Sequence, residues 1–201
     1  MNKESHKGFT LIELLVVIAI VAVLSVVVIL TLNPAELLRQ ARDSNRISDM
    51  ATIRSALSLY LADVTTPNLA SSTQGYTRCY ATSNLALTDC SWGFTSTLAT
   101  TIPVNNTSTA INSRGWVPVS FDMISSGAPL GNLPIDPVNS SSSALGVCVY
   151  GYAASSTSMS FKIVAGCMES VKYGVTGTAN VVSNDGGTVA KAYEVGTNMN
   201  L

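Results

Sequence analysis

The chain has 201 residues, 47% of them hydrophobic and only 11% charged, and 11 Lys and Arg against 12 Asp and Glu leave a net charge of −1. That balance supplies none of the cationic surplus on which nucleic-acid binding draws heavily. The length leaves room for one modest core beside any membrane segment, and not obviously for two.

The first element is the most informative. Lys7-Gly8-Phe9-Thr10-Leu11-Ile12-Glu13 leads straight into residues 14–32, nineteen positions in which only Ser25 and Thr31 carry polar groups. As a helix this run spans roughly 28 Å at ~1.5 Å per residue, enough to cross a bilayer. Glu13 lies inside its near edge, where an acidic group costs roughly 2.5–3.5 kcal/mol. A carboxylate placed there calls for a partner, which points to assembly rather than to small-molecule chemistry. An ordinary secretory signal would put a small-residue cleavage site after a 7–15-residue apolar core. Here the core is longer and the small residue, Gly8, precedes it. A plain membrane anchor accounts for the run but not for Glu13.

The stretch Gly8-Phe9-Thr10-Leu11-Ile12-Glu13-Leu14-Leu15-Val16-Val17 resembles the class III signal sequence of type IV pilins and of the pseudopilins of type II secretion. The resemblance implies that a prepilin peptidase in the membrane cuts between Gly8 and Phe9 and methylates the new Phe9 amine. It also implies that Glu13 pairs with the N-terminal amine of a neighbouring subunit. Such a pair relieves the cost that Glu13 alone would bear, because the methylated amine keeps its charge. Basic residues do not settle orientation. Lys3 and Lys7 precede the apolar run, whereas Arg39, Arg42 and Arg46 follow it; a count of cations favours the reverse topology. The resemblance to pilin precursors implies instead that the leader faces a cytoplasmic peptidase.

Asn33-Pro34 interrupts the helix, since proline removes a ladder hydrogen bond and disfavours helical geometry at the preceding residue. Beyond it Ile47, Met50, Ile53, Leu57 and Tyr60/Leu61 recur at helical spacing, with Arg39, Arg42, Asp43, Arg46 and Asp49 assigned largely to the other side of the wheel. Thr65-Thr66-Pro67-Asn68 closes the pattern. One kinked helix from about Phe9 to Asp63 would be on the order of 80 Å long. The expected organisation is a leader at 1–8, a membrane or filament-core helix at 9–32, an amphipathic continuation at 33–66 and a β-rich head at 67–201.

In the head, β-favouring runs occur at 116–121, 145–153, 159–165 and, more weakly, 189–195, with loops and weak strands expected at 67–115. The second and third runs, joined through Ser155-Ser156-Thr157-Ser158, read as an antiparallel hairpin. Four cysteines allow three disulfide pairings. Cys148 and Cys167 face each other if the hairpin turns at Thr157-Ser158, which favours Cys148–Cys167 and, by proximity, Cys79–Cys90. Each bridge would contribute roughly 2–4 kcal/mol in an exported head with a small core. The Ser/Thr-rich loops, Ser140 to Ser143 included, read as solvated, with glycosylation as the alternative.

Gly131-Asn132-Leu133-Pro134-Ile135-Asp136-Pro137-Val138-Asn139 resembles the proline-and-aspartate loop of pseudopilin heads, a group in which some members bind calcium nearby. Asp136, Asn139, Asn184 and Asp185 carry oxygen ligands of the kind calcium prefers. They lack the dense spacing of a dedicated loop, so the turn-forming role is preferred and no cofactor is expected, calcium remaining the alternative. His6, the sole histidine, falls in the leader, which leaves a mature chain without Ser-His-Asp or Cys-His chemistry. Asp89, Asp122, Asp136, Glu169, Asp185 and Glu194 are too scattered to suggest an acid/base pair, and no phosphate loop is present. Without residues 1–8, nine Lys and Arg face eleven Asp and Glu, and no nucleic-acid partner is expected; Trp92 and Trp116 read as packing residues.

The reading is an α+β, pilin-like, non-enzymatic structural subunit. It is a single-pass cytoplasmic-membrane precursor that becomes part of an extracellular or cell-surface filament. Its partners would be further copies of itself in a helical homopolymer, the prepilin peptidase and the pilus or secretion machinery. A pseudopilin is the rival within the family, and a monomeric membrane-anchored surface binding protein is the rival outside it.

Overall fold

A computed structural model describes residues 8–70, 78–83, 87–95, 98–143, 146–155 and 157–201. Most of the leader, residues 1–7, and residue 145 of an expected strand lie outside the described residues. The chain divides into two compact units, Met1–Leu38 and Arg39–Leu201.

In the first unit, α1 (Leu11–Leu32) begins at a Thr10 N-cap and ends at Asn33. Its two hydroxyls are turned back onto the helix: Ser25 donates to the Val21 carbonyl at 2.7 Å, and Thr31 donates to those of Val27 and Val28. Polar groups satisfied this way cost less in hydrocarbon. Asn33 takes the left-handed conformation, φ 41° and ψ 73°, which Asn tolerates better than most residues. Pro34 then opens α2 (Pro34–Asp63) at the position where a missing N–H costs nothing, and the Asn33 carbonyl accepts from the N–H groups of Glu36 and Leu37. The expected single kinked helix is therefore two helices separated by one left-handed residue.

In the second unit α2 buries Asp43, Arg46, Met50, Ile53, Ala56, Leu57 and Tyr60. Ile47 and Leu61, expected on that face, are half-buried. The placing of Asp43 and Arg46 away from the apolar face is overturned. They extend the same stripe toward the helix start, because partners from elsewhere in the head neutralise them there. Asp63 ends the helix by accepting the main-chain N–H and the hydroxyl of Ser125 at 2.6 and 2.7 Å.

The main sheet has the order β2-β1-β5-β6-β7. It comprises β1 (Tyr80–Ala81), β2 (Val104–Asn105), β5 (Tyr150–Ser155), β6 (Ser160–Ala165) and β7 (Tyr193–Gly196). Among the described residues, β1–β2 is the one parallel pair of this sheet. A second, two-stranded sheet pairs β3 (Ser140–Ser143) with β4 (Gly146–Cys148). The expected hairpin is β5–β6, running from Tyr150 opposite Ala165 to Ser155 opposite Ser160.

Alternation along these two strands sends side chains to two buried faces. Tyr150, Tyr152, Ala154, Phe161, Ile163 and Ala165 pack with Met50, Ile53, Leu57 and Tyr60 of α2. Ala153 and Val164, on the other face, pack with Cys79, Cys90, Phe94, Leu98 and Ala192. Burial on both faces explains why β5 and β6 read as nearly unbroken apolar runs.

Three strand expectations are corrected. Residues 116–119 and 121 are buried but form no regular strand; Pro118 lacks a donor, one isolated bridge joins Asn112 to the half-buried Ser120, and a 3-10 turn follows at Phe121–Met123. The expected strand at 189–195 is reduced to β7. Ser140–Ser143, expected as solvated loop, is β3.

Candidate assembly site

Gly8 and Phe9 precede α1, and Phe9 is 88% exposed. At the helix start Thr10 and Glu13 form a reciprocal capping box. Glu13 Oε2 accepts from the Thr10 N–H at 2.8 Å and from its hydroxyl at 2.7 Å, while the Glu13 N–H donates to Thr10 Oγ1 at 3.3 Å. The acid is thus held one turn from the Phe9 position by its own chain. Downstream, Leu11–Ile29 is long and apolar enough to cross a membrane, and none of it is buried within the chain. An apolar helix exposed on every side requires lipid or other apolar helices around it.

The head holds two disulfides, Cys79–Cys90 and Cys148–Cys167. Extending the β5–β6 register two residues outward from Tyr150 opposite Ala165 puts Cys148 across from Cys167, so the same pairing that closes the hairpin brings the sulfurs together. The first bridge ties the segment that covers the second face of the sheet.

Sequence reasoning missed the ionic seat under α2. Arg46 is fully buried and engages Asp136 with two nitrogens: Nε donates to Oδ2 at 2.7 Å and a terminal nitrogen donates to Oδ1 at 2.9 Å. It also donates to Asp43 at 2.7 Å and to Glu169 at 3.3 Å, and Arg42 pairs with Glu169 as well. The Asp43 carboxylate in turn accepts the main-chain N–H groups of Glu169 and Ser170. Asp136 accepts those of Val138 and Asn139. Burial alone would pull the guanidinium down, but the Asp136 carboxylate and then Asp43 and Glu169 hold it above its ordinary range. Next to this seat Asp49 accepts the Tyr150 hydroxyl at 2.7 Å, and burial pushes its carboxyl up despite that bond. The available signal was the spacing 43–46–50–53–57–60, which continues one helical stripe through two charged positions.

The calcium candidates each have hydrogen-bonding or ionic partners within the chain. Asp136 is committed to Arg46, Asn139 bonds the hydroxyl and carbonyl of Thr82, and Asp185 accepts the N–H groups of Gly187 and Glu194. Asn184 donates to the Asn180 carbonyl. Among the described residues no three His, Cys, Asp or Glu side chains gather as a metal site. Of the acids considered for catalysis, Asp136 and Glu169 meet at Arg46, and Glu194 pairs with Lys162.

Residues 5–29 match the family model of the prokaryotic N-terminal methylation motif. That motif is the class III signal peptide of type IV pilins and pseudopilins, and the apolar helix fits it. No curated protein and no solved structure matches the chain.

Proposed function

We propose that this chain, a type IV pilin- or pseudopilin-like precursor by its methylation motif, is the structural subunit of a type IV pilus-like filament. The prepilin peptidase cuts between Gly8 and Phe9 and methylates the Phe9 amine. The mature subunit then leaves the membrane for a helical homopolymer whose core is built from copies of α1, with the disulfide-tied heads outside. Glu13 accepts the cationic amine of a neighbouring copy, an open-ended contact of the kind that extends a fibre.

The observation that supports this reading is one continuous arrangement: the motif at 5–29 runs into a membrane-length helix with a single acid one turn inside it. The alternative of a monomeric anchored binder leaves Glu13 only its part in capping α1 and gives its charge no task. Mass spectrometry of the protein extracted from producing cells tests the processing step. The N-terminal peptide is expected to begin at Phe9 and to carry one added methyl group. A peptide that starts at Met1, or an unmethylated Phe9, contradicts it.

A further inference from the structure

Lys162 on β6 and Glu194 on β7 are both completely buried, with Nζ 2.8 Å from Oε1. Val164 lies opposite Glu194 and Lys162 opposite Gly196, so the two side chains are diagonal neighbours on one face of the sheet. The contact is unusual in kind. Oε1 of Glu194 has no hydrogen bond among the described residues; those of Nζ go to the main-chain oxygens of Met199 and Leu201 at 3.1 and 2.9 Å. Amine and carboxyl therefore meet outside hydrogen-bonding geometry. The other carboxyl oxygen, Oε2, accepts the main-chain N–H of Thr188. A Cβ on Gly187 would overlap that oxygen, so a glycine is needed for the backbone to approach it. The Phe94 ring lies 5.6 Å from Nζ, among the apolar residues of that face.

We propose that Lys162 and Glu194 condense into an intramolecular isopeptide bond joining β6 to β7. One proton passes from the ammonium to Oε1, giving an amine beside a carboxylic acid. Nζ then adds to Cδ, and the negative charge that develops on Oε2 faces the Thr188 N–H, a donor fixed in advance of the reaction. A second proton moves from nitrogen to Oε1, the Cδ–Oε1 bond breaks, and water leaves. Ammonium plus carboxylate become amide plus water, and no oxidant or further reactant is required. Two features favour the step. A buried ion pair carries a desolvation cost that a neutral amide does not, and groups held in contact react as if very concentrated.

The position has a structural purpose. β7 lies at the edge of the sheet, next to β6. The two disulfides end at Cys167, leaving residues 168–201 without a covalent tie. A bond from Lys162 to Glu194 would anchor that last segment. The inference does not depend on the filament reading, because its readout is internal to one chain.

The test uses the full chain purified from membranes, reduced and alkylated, with its intact mass and tryptic peptides measured. The wild type is expected to be one water lighter than its processed sequence, with no tryptic cleavage after Lys162 and with a branched peptide joining the segments of Lys162 and Glu194. Glu194→Ala is expected to regain the full mass and the cleavage. Glu194→Gln is expected to lose one ammonia instead and to give the same branched peptide. A wild type of full mass cut after Lys162 overturns the proposal. So does a water loss that persists in Glu194→Ala or maps to a succinimide at Asp185-Gly186.

Discussion

At Arg46 three fully or largely buried carboxylates converge on one guanidinium, and the arrangement is stable only as a set. Replacing Arg46 by Met keeps much of the volume but leaves Asp43 and Asp136 buried without their cation. Removing one member of a buried pair typically costs about 3–5 kcal/mol, so Arg46→Met should destabilise the head by about that much, seen as a lower urea midpoint at unchanged slope. Adding Asp136→Leu to it should recover part of the loss, since contacting sites are not additive. Asp49 gives the opposite sign. Its folded-state pKa is raised by burial, so its contribution is most favourable below the unfolded value of about 3.9 and is lost as pH rises through the folded value. Asp49→Asn keeps an acceptor for the Tyr150 hydroxyl without the charge. Its melting temperature should exceed that of the wild type at neutral pH, the gap closing below about pH 4; a gap that widens in acid would contradict the assignment. None of this seat was legible residue by residue. Charges on a helix normally face water, and the partners that bring these inside lie 90 and 123 positions away.

Elements were legible where local rules and packing agree. The apolar run and the Asn33-Pro34 break each have a local cause, so the extent of α1 and the start of α2 follow from the sequence, whereas the Thr10–Glu13 cap was not read there. The β5–β6 hairpin was readable because both faces are buried and because the cysteine pair shares its register. The two-residue strands β1 and β2 were expected only as weak strands within 67–115. What pairs them in parallel is sheet context rather than pattern. Residues 116–121 show the converse: β-favouring, buried types were packed as irregular chain around Pro118, with the Trp116 indole N–H donating to the Pro134 carbonyl at 2.9 Å. The second face of the sheet depends on missing side chains. A Cβ on Gly151 would overlap the Trp92 ring and press on Phe94, so the bare backbone of β5 is what seats the indole. Gly151→Ala should cost about 1–3 kcal/mol by overpacking and should shift the Trp92 fluorescence. An unchanged melting temperature together with an unchanged spectrum would show that the ring has room to move.

At the scale of the whole molecule, the head buries its own apolar core whereas α1 leaves its apolar surface uncovered. α1 turns apolar side chains outward all round, and Glu13 sits among them with Oε2 bound to Thr10 and, among the described residues, no ion pair. Capping and charge are two separate services of this acid, and one substitution divides them. Gln at the same helix position also completes a capping box, so Glu13→Gln should leave α1 formed, inserted in the membrane and cut before Phe9. It removes the negative charge, and with it the proposed ion pair that would offset the roughly 2.5–3.5 kcal/mol cost of an acid in hydrocarbon. If the pair with a neighbouring amine aligns each incoming copy, Glu13→Gln should abolish filaments in sheared surface material while membrane levels of the processed protein stay near wild type. Glu13→Ala should do the same and in addition weaken the first turn of α1. Filaments of normal yield from Glu13→Gln would mean that the cap alone is what the acid provides, and that apolar packing between copies of α1 sets the register without an ion pair.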